Sequence, residues 1–262
     1  MESVTPVPVD DLRPLSHRSW MPLAEIQAVR FVDLLAELNS DEWESPTACA
    51  PWTVKDIAAH VLGWAEALTS PLEYLRQFRH ARARRPEFAG NALDAANQAQ
   101  VDARRHIPPG EIIDRLARVM PRFRVLRRWS GVPLRAVPYR EGFSGHWVTL
   151  GYVVDVVFTR DHFMHRSDIC SALGRPFVID AAEKSIVHDV VREWARRAQP
   201  NLRLELGGPS GGSFVAGTGE AGIVAADGIE FARALAGRGA QHLDVRGDRA
   251  PIEAWLAVRP TF

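Results

Sequence analysis

Cysteine is scarce in this chain of 262 residues, which has only Cys49 and Cys170, far apart and outside any CxxC or Cys/His spacing. That scarcity argues against a disulfide framework and a zinc finger, and it fits a reducing, cytoplasmic setting. Long apolar runs are missing too. No stretch approaches the roughly 20 apolar residues of a membrane span. The opening MESVTPVPVDDLRP has acids and prolines where a signal peptide needs bases and then an apolar run. Neither membrane nor export is expected. Charge of one sign is not in excess, since Lys plus Arg and Asp plus Glu each total 32. Without a net field, nucleic acid is not an expected partner. Nucleotide motifs are also lacking. There is no GxGxxG after a strand and no GxxxxGK[ST], and GGPSGG at 207–212 has no lysine and no following helix. Gly142-Phe-Ser-Gly145 falls short of G-x-S-x-G, which argues against a serine hydrolase.

What is present is mostly helical periodicity, in a chain long enough for one large domain or two modest ones. Residues 1–17 hold three prolines and no periodicity, and read as an arm ordered only by packing onto something else. From Met21 to Leu38, apolar residues recur at helical spacing. Thr53, with Asp56 three residues on, opens a second helix through His60 and Trp64 towards Leu75. The basic run RQFRHARARRPEF reads as a solvated helix end. Asn91–His106 and Gly110–Trp129 form further helices separated by Pro108-Pro109. A long helix is expected over Trp147–Leu173, closed by Gly174 and Pro176, and another over Asp180–Arg197. Beyond it the pattern changes to short strands, at 202–206, 214–216 and 222–225, with Asp227 capping a helix over Gly228–Leu235. The division is therefore an arm at 1–17, a helical part at 18–178 and a small α+β part at 179–262.

Asp161 and His165 stand four apart on a predicted helix, so both project from one face, about a turn from each other. If His60, on another helix, lies level with them, two imidazoles and one carboxylate can grip one divalent ion. Three protein ligands leave a coordination position open, which is a catalytic rather than a structural stoichiometry. Spacing does not exclude Asp155, His162, His146, Asp168 or His188 as alternatives. Nor does it exclude that these are hydrogen-bonded core residues. Trp52 and Trp64 flank His60 and read as packing.

Four segments carry a family resemblance: PWTVKDIAAHVLGW at 51–64, DAANQAQVDARR at 94–105, TRDHFMHRSDICSALGRP at 159–176 and DGIEFARALAGR at 227–238. In their order and spacing they resemble the DinB-like, mycothiol-dependent maleylpyruvate isomerase family of actinobacteria. The resemblance implies an N-terminal DinB-like four-helix bundle followed by a sterol carrier protein-like α+β domain that covers the mouth of the bundle site. It implies His60, Asp161 and His165 as ligands of a divalent metal, zinc first, with iron or nickel as alternatives. The chain departs from the better-known isomerases in having Asp161 where they carry glutamate, which shortens that arm by one methylene. Arg233 and Arg238, on the fourth segment, become candidates to clamp a substrate carboxylate.

The reaction expected from the resemblance is thiol-dependent isomerisation or S-transfer on a small electrophile, with mycothiol or a similar thiol as cofactor or co-substrate. The metal would lower the thiol's pKa so that thiolate attacks an electrophilic carbon. Asp168, one turn beyond His165, could orient that imidazole. Two rivals remain, a metal-dependent hydrolase and a non-catalytic carrier of a small ligand. The expected assembly is a monomer or homodimer.

Overall fold

A computed structural model describes residues 5–140, 146–239 and 241–262, so the Gly142-Phe-Ser-Gly145 segment lies outside the described residues. The structure is mostly helical with a smaller sheet part. It separates into two compact units, one of His17–Phe177 and the other of the residues up to Ser16 together with Val178–Phe262. Among the described residues, no helix is long and apolar enough to cross a membrane.

The first unit begins with α1 (His17–Ala36), short α2 (Ser40–Trp43), α3 (Val54–Thr69) and α4 (Pro71–Arg84). It continues with α5 (Ala92–Arg104), α6 (Pro109–Trp129) and α7 (Val132–Arg135). A two-stranded antiparallel pair follows, β2 (Pro138–Arg140) with β3 (Trp147–Thr149). Next come α8 (Leu150–Tyr152), a π-helical turn over Val153–Val157, and α9 (Phe158–Leu173). Trp20, Ala24, Gln27, Phe31 and Leu35 form the buried stripe of α1, at the three-and-four spacing of one helix face. Helix α3 is instead apolar nearly all round, because α4, α5, α6 and α9 all pack against it. Its Ile57, Val61 and Leu62 join Phe31, Leu116, Phe123 and Phe158 in the main core. Thr53 and Asp56 cap its start reciprocally, each side chain meeting the other's backbone N–H, as the sequence predicts.

The structure corrects three boundaries. The helix expected to run to Leu75 stops at Thr69, because Pro71 has no N–H to continue it; Ser70 caps a new helix with Pro71 in its first turn. The long helix expected from Trp147 starts only at Leu150, since Trp147–Thr149 pair as a strand and the Thr149 side chain accepts from Tyr152 N–H. Helix α1 begins at His17, inside the expected arm. In the basic run, Arg84 binds Glu87 and Asp102.

The second unit is a five-stranded sheet in the order β1-β5-β4-β6-β7. Its strands are β1 (Val7–Pro8), β4 (Leu202–Gly207), β5 (Gly212–Ala216), β6 (Gly222–Asp227) and β7 (Asp244–Gly247). The N-terminal arm therefore supplies an edge strand, parallel to β5. Leu202, Leu204 and Leu206 point inward in strict alternation along β4. Helices α10 (Ala181–Ala198), α11 (Gly228–Leu235) and α12 (Arg249–Leu256) complete the unit. Trp194 of α10 meets the Phe231 ring edge-on, and its indole N–H donates to the Trp255 carbonyl at 2.9 Å.

One glycine sets the approach of α5 to α3. A methyl at Gly63 would stand 2.5 Å from Gln100 Cβ and 2.6 Å from Gln100 Cγ, far inside van der Waals contact. Alanine is the better helix former by about 1 kcal/mol, but here the overlap decides the sign. Gly63→Ala is expected to lose about 1–3 kcal/mol of stability, the usual cost of overpacking. Urea denaturation of the variant checks this; a stabilised variant would mean that α5 yields freely.

Candidate functional site

Helices α3 and α9 cross where His60 faces Asp161 and His165. The three side chains are 4 %, 15 % and 7 % exposed, the carboxylate being the most open of the three. Asp161 Oδ1 lies 3.4 Å from His60 Nε2 and 3.4 Å from His165 Nε2. These separations exceed the usual 2.7–3.2 Å of a protein N–H···O bond. The three donor atoms, all within 4.8 Å of one another, thus surround a common point instead of closing on each other.

The far side of each imidazole is held in turn. Gln77 Nε2 donates to the Gly63 carbonyl at 2.9 Å and to Glu73 Oε1 at 2.8 Å. Its amide oxygen accepts from Gln100 Nε2 at 3.2 Å, which leaves the Gln100 oxygen to accept from His60 Nδ1–H at 2.8 Å. The chain of amides therefore fixes the tautomer of His60, with the proton on Nδ1 and a lone pair on Nε2 toward Asp161. Arg104, 2 % exposed, anchors the far end between Glu66 and Glu73, at 2.5 and 2.8 Å. Together with the side-chain bonds from Arg76 and Gln77, it overcomes the burial of Glu73 and holds that carboxyl down at about 2.

For His165 the corresponding partner is Asp168, fully buried, with Oδ2 at 3.4 Å from Nδ1. The Cys49 thiol donates to the same oxygen at 3.1 Å and lies 4.0 Å from His165 Nδ1. Cys49, His165 and Asp168 make a second set of close donor atoms, which shares His165 with the first but uses its other nitrogen. Burial disfavours charge on both Asp161 and His165, yet their mutual attraction outweighs it. The Asp161 carboxyl is held well below the usual range and the His165 imidazolium well above its own. Trp52 covers the site, its ring 5.0 Å from that of His60 and 6.5 Å from that of His165, while its N–H donates to Gln98 at 3.1 Å. Trp64 packs edge-on to Phe158, in the core.

The other candidates lie elsewhere. Asp155 binds His17 and Arg135, His162 donates Nδ1–H to the Phe158 carbonyl at 2.6 Å, and His146 is exposed. His188 belongs to the second unit, where its ring meets Phe214. Arg233 is also in that unit, buried on α11 with Glu230 at 3.6 Å, and Arg238 follows the helix and donates to the Ala236 carbonyl. Sequence reasoning missed Cys49, Gln77 and Gln100. Gln100 falls inside the DAANQAQVDARR segment that carried part of the resemblance, which was the one available signal.

Two outcomes follow for the polar chain. The Glu73 carboxyl has its folded pKa below its ordinary 4.5, so the unfolded chain takes up this proton first. Its contribution is complete above pH 4.5 and declines as the pH falls toward about 2. Glu73→Gln should therefore be less stable than wild type at pH 7, with the gap narrowing on acidification in parallel urea titrations. Gln100→Leu leaves the buried His60 Nδ1–H without an acceptor and should cost about 1–3 kcal/mol at neutral pH, measured the same way.

Comparison with known proteins agrees with this architecture. Residues 24–170 match the family described as Mycothiol maleylpyruvate isomerase N-terminal domain. A crystal structure of the mycothiol-dependent maleylpyruvate isomerase superposes with a TM-score of 0.61 at 17% identity, covering 91% of this chain and 95% of that one. A histidine-to-alanine mutant of that enzyme gives a TM-score of 0.60 with the same identity and coverage. No curated protein sequence matches the chain. With more than half its length within the family match, the chain belongs to the mycothiol maleylpyruvate isomerase N-terminal domain family.

Proposed function

We propose that His60, Asp161 and His165 hold a divalent ion, zinc first with iron or nickel as alternatives. The chain then uses a low-molecular-weight thiol of the mycothiol type to isomerise, or transfer sulfur to, a small electrophilic substrate. The convergence of two imidazole nitrogens and one carboxylate oxygen within 4.8 Å carries this reading. The donor set fits such an ion. Both Nε2 atoms turn toward the carboxylate because their opposite nitrogens face Gln100 and Asp168, and three ligands leave a position for sulfur. The family description and the names of the structural neighbours both specify mycothiol, which favours the thiol over the hydrolytic alternative. A carrier would have no use for a buried, oriented set of ionisable groups.

A divalent ion in this position supplies the positive charge that keeps a neighbouring thiol ionised at neutral pH. The protein's own contribution is to orient and to shield. Gln100 and Asp168 hold the two imidazoles in register, Trp52 keeps water from their faces, and the partial exposure of Asp161 leaves a way in for the cofactor. A thiol bound there would supply the sulfur that adds to an electrophilic carbon, and for a cis-enoyl substrate a reversible addition would allow bond rotation before the thiol left; the chain's own part would be the opening beside Asp161.

The finer architecture belongs to the same proposal. Helices α1, α9, α3 and α6 pack in a closed ring, each on the next, which supports a DinB-like four-helix bundle within 18–178. Strands β4 to β7, with α11 packed against β4 and β6, support a sterol carrier protein-like domain within 179–262.

Purified without added metal, wild type should contain about one ion per chain by elemental mass spectrometry, the stoichiometry of a single three-ligand site. His165→Ala should contain none, and calorimetry should show mycothiol binding only to the metallated protein. Gln100→Leu should retain the site with metal affinity reduced roughly 10–100-fold, the usual effect of removing a ligand's orienting partner. Wild type that takes up no zinc, iron or nickel on reconstitution would overturn the proposal.

A further inference from the structure

Helix α4 is bedded on one side only. Glu73, Gln77, Ala81 and Arg84 recur at the three-and-four spacing of one face, are buried or half-buried, and mark the side that packs on α3 and α5. Opposite them, Leu72, Leu75 and Phe78 follow one another every third residue and stand 81 %, 42 % and 52 % exposed. Residues three apart on a helix are neighbours, so these side chains form one apolar ridge. Single exposed apolar side chains need no explanation, but a run of them along one helix face marks a surface for interaction.

The basic run expected to be a solvated helix end continues this ridge. Arg79, Arg82 and Arg85 each lie seven residues beyond Leu72, Leu75 and Phe78 respectively, which is nearly the same angular position two turns further on. All three are exposed, and none has a carboxylate partner among the described residues. Arg85 gives its Nε–H to the Gly90 carbonyl, which leaves its charge uncompensated. The acids of the segment are already engaged, Glu73 by Arg76 and Arg104, and Glu87 by Arg84. The outer face of α4 is therefore apolar along its first half and cationic along its second.

That pattern selects the partner. A second copy of the chain has no acid to offer on this face, so a two-fold contact would set arginines against arginines or against the apolar ridge. A groove in a folded partner takes in the apolar face of a helix by wrapping it, whereas α4 leaves free only the convex half that α3 and α5 do not cover. A bilayer with anionic headgroups needs no more than that, with phosphates for the guanidinium groups and the acyl boundary for the ridge.

From these observations we infer that the outer face of α4 docks on an anionic lipid bilayer. Leu72, Leu75 and Phe78 reach the acyl boundary, and Arg79, Arg82 and Arg85 meet the headgroup phosphates. The contact lies on the membrane and needs no spanning helix. It does not involve His60, Asp161 or His165, which belong to α3 and α9.

Co-sedimentation of the full-length protein with vesicles tests it, comparing phosphatidylglycerol and phosphatidylcholine in equal parts with phosphatidylcholine alone. Partitioning should favour the anionic vesicles about a hundredfold at low salt, near fivefold for each of the three cations, and the preference should fall as salt is added. Replacing two of the cations, Arg79→Gln with Arg82→Gln, should weaken binding to anionic vesicles about 25-fold. Leu72→Ser with Phe78→Ser should weaken it about tenfold or more, with metal content and the circular dichroism spectrum as in wild type. If that variant does not fold, the arginine pair carries the test. Equal partitioning into both kinds of vesicle, or binding unchanged by either pair of substitutions, would overturn the inference. So would capture by polyglutamate without vesicle binding, or self-association in the ultracentrifuge that Phe78→Ser abolishes, since these would assign the face to an acidic protein or to a second copy.

Discussion

Three donor atoms on two helices have to be kept within 4.8 Å of one another while most of their surroundings are apolar. Bringing a carboxylate and two imidazoles out of water is unfavourable unless each polar atom finds a partner. Much of the first unit can be understood as the means of doing so. The apolar surface of α3 lets it sit against four other helices, which fixes His60 opposite α9. The absence of a side chain at Gly63 lets α5 come close enough for Gln100 to reach the imidazole. The break at Ser70-Pro71 turns the chain back so that α4 can offer Gln77 and Glu73 to the same network.

The two imidazoles are supported in different ways. His60 is tied through Nδ1 to a neutral amide chain that ends on the ion pairs of Arg104 with Glu66 and Glu73, so its tautomer is fixed without placing a charge against that nitrogen. His165 faces a buried carboxylate, Asp168, that also receives the Cys49 thiol. That difference gives the site two faces around one histidine. One comprises His60 and the partly exposed Asp161; the other comprises fully buried Asp168 and the partly buried Cys49.

The sequence made the polar pair on α9 legible because a spacing of four on a helix determines a shared face. The capping pair at Thr53 and Asp56 likewise located the helix that carries His60. What it could not disclose was the level at which α3 and α9 cross, since tertiary packing sets this and no local pattern encodes it. The same holds for Gln77, Gln100 and Cys49, polar residues whose importance comes from what they touch across a helix interface. The misplaced start at Trp147 has a local cause: an apolar run at a strand-to-helix junction fits both periodicities, and pairing with Pro138–Arg140 decided it. The arm could be read as lacking structure of its own, but its pairing with β5 could not, because that strand lies some two hundred residues further on.

The central claim is that the ion is held through the outward nitrogens of His60 and His165 together with Asp161, leaving sulfur to come from a separate thiol. Cobalt(II) substitution tests it directly, because thiolate coordination gives a sulfur-to-cobalt charge-transfer band. Cobalt-loaded protein should show no such band alone, develop it on addition of mycothiol, and behave identically in Cys49→Ser. A band present before any thiol is added, and lost in Cys49→Ser, would place the ion in the Cys49, His165 and Asp168 cluster and contradict the account.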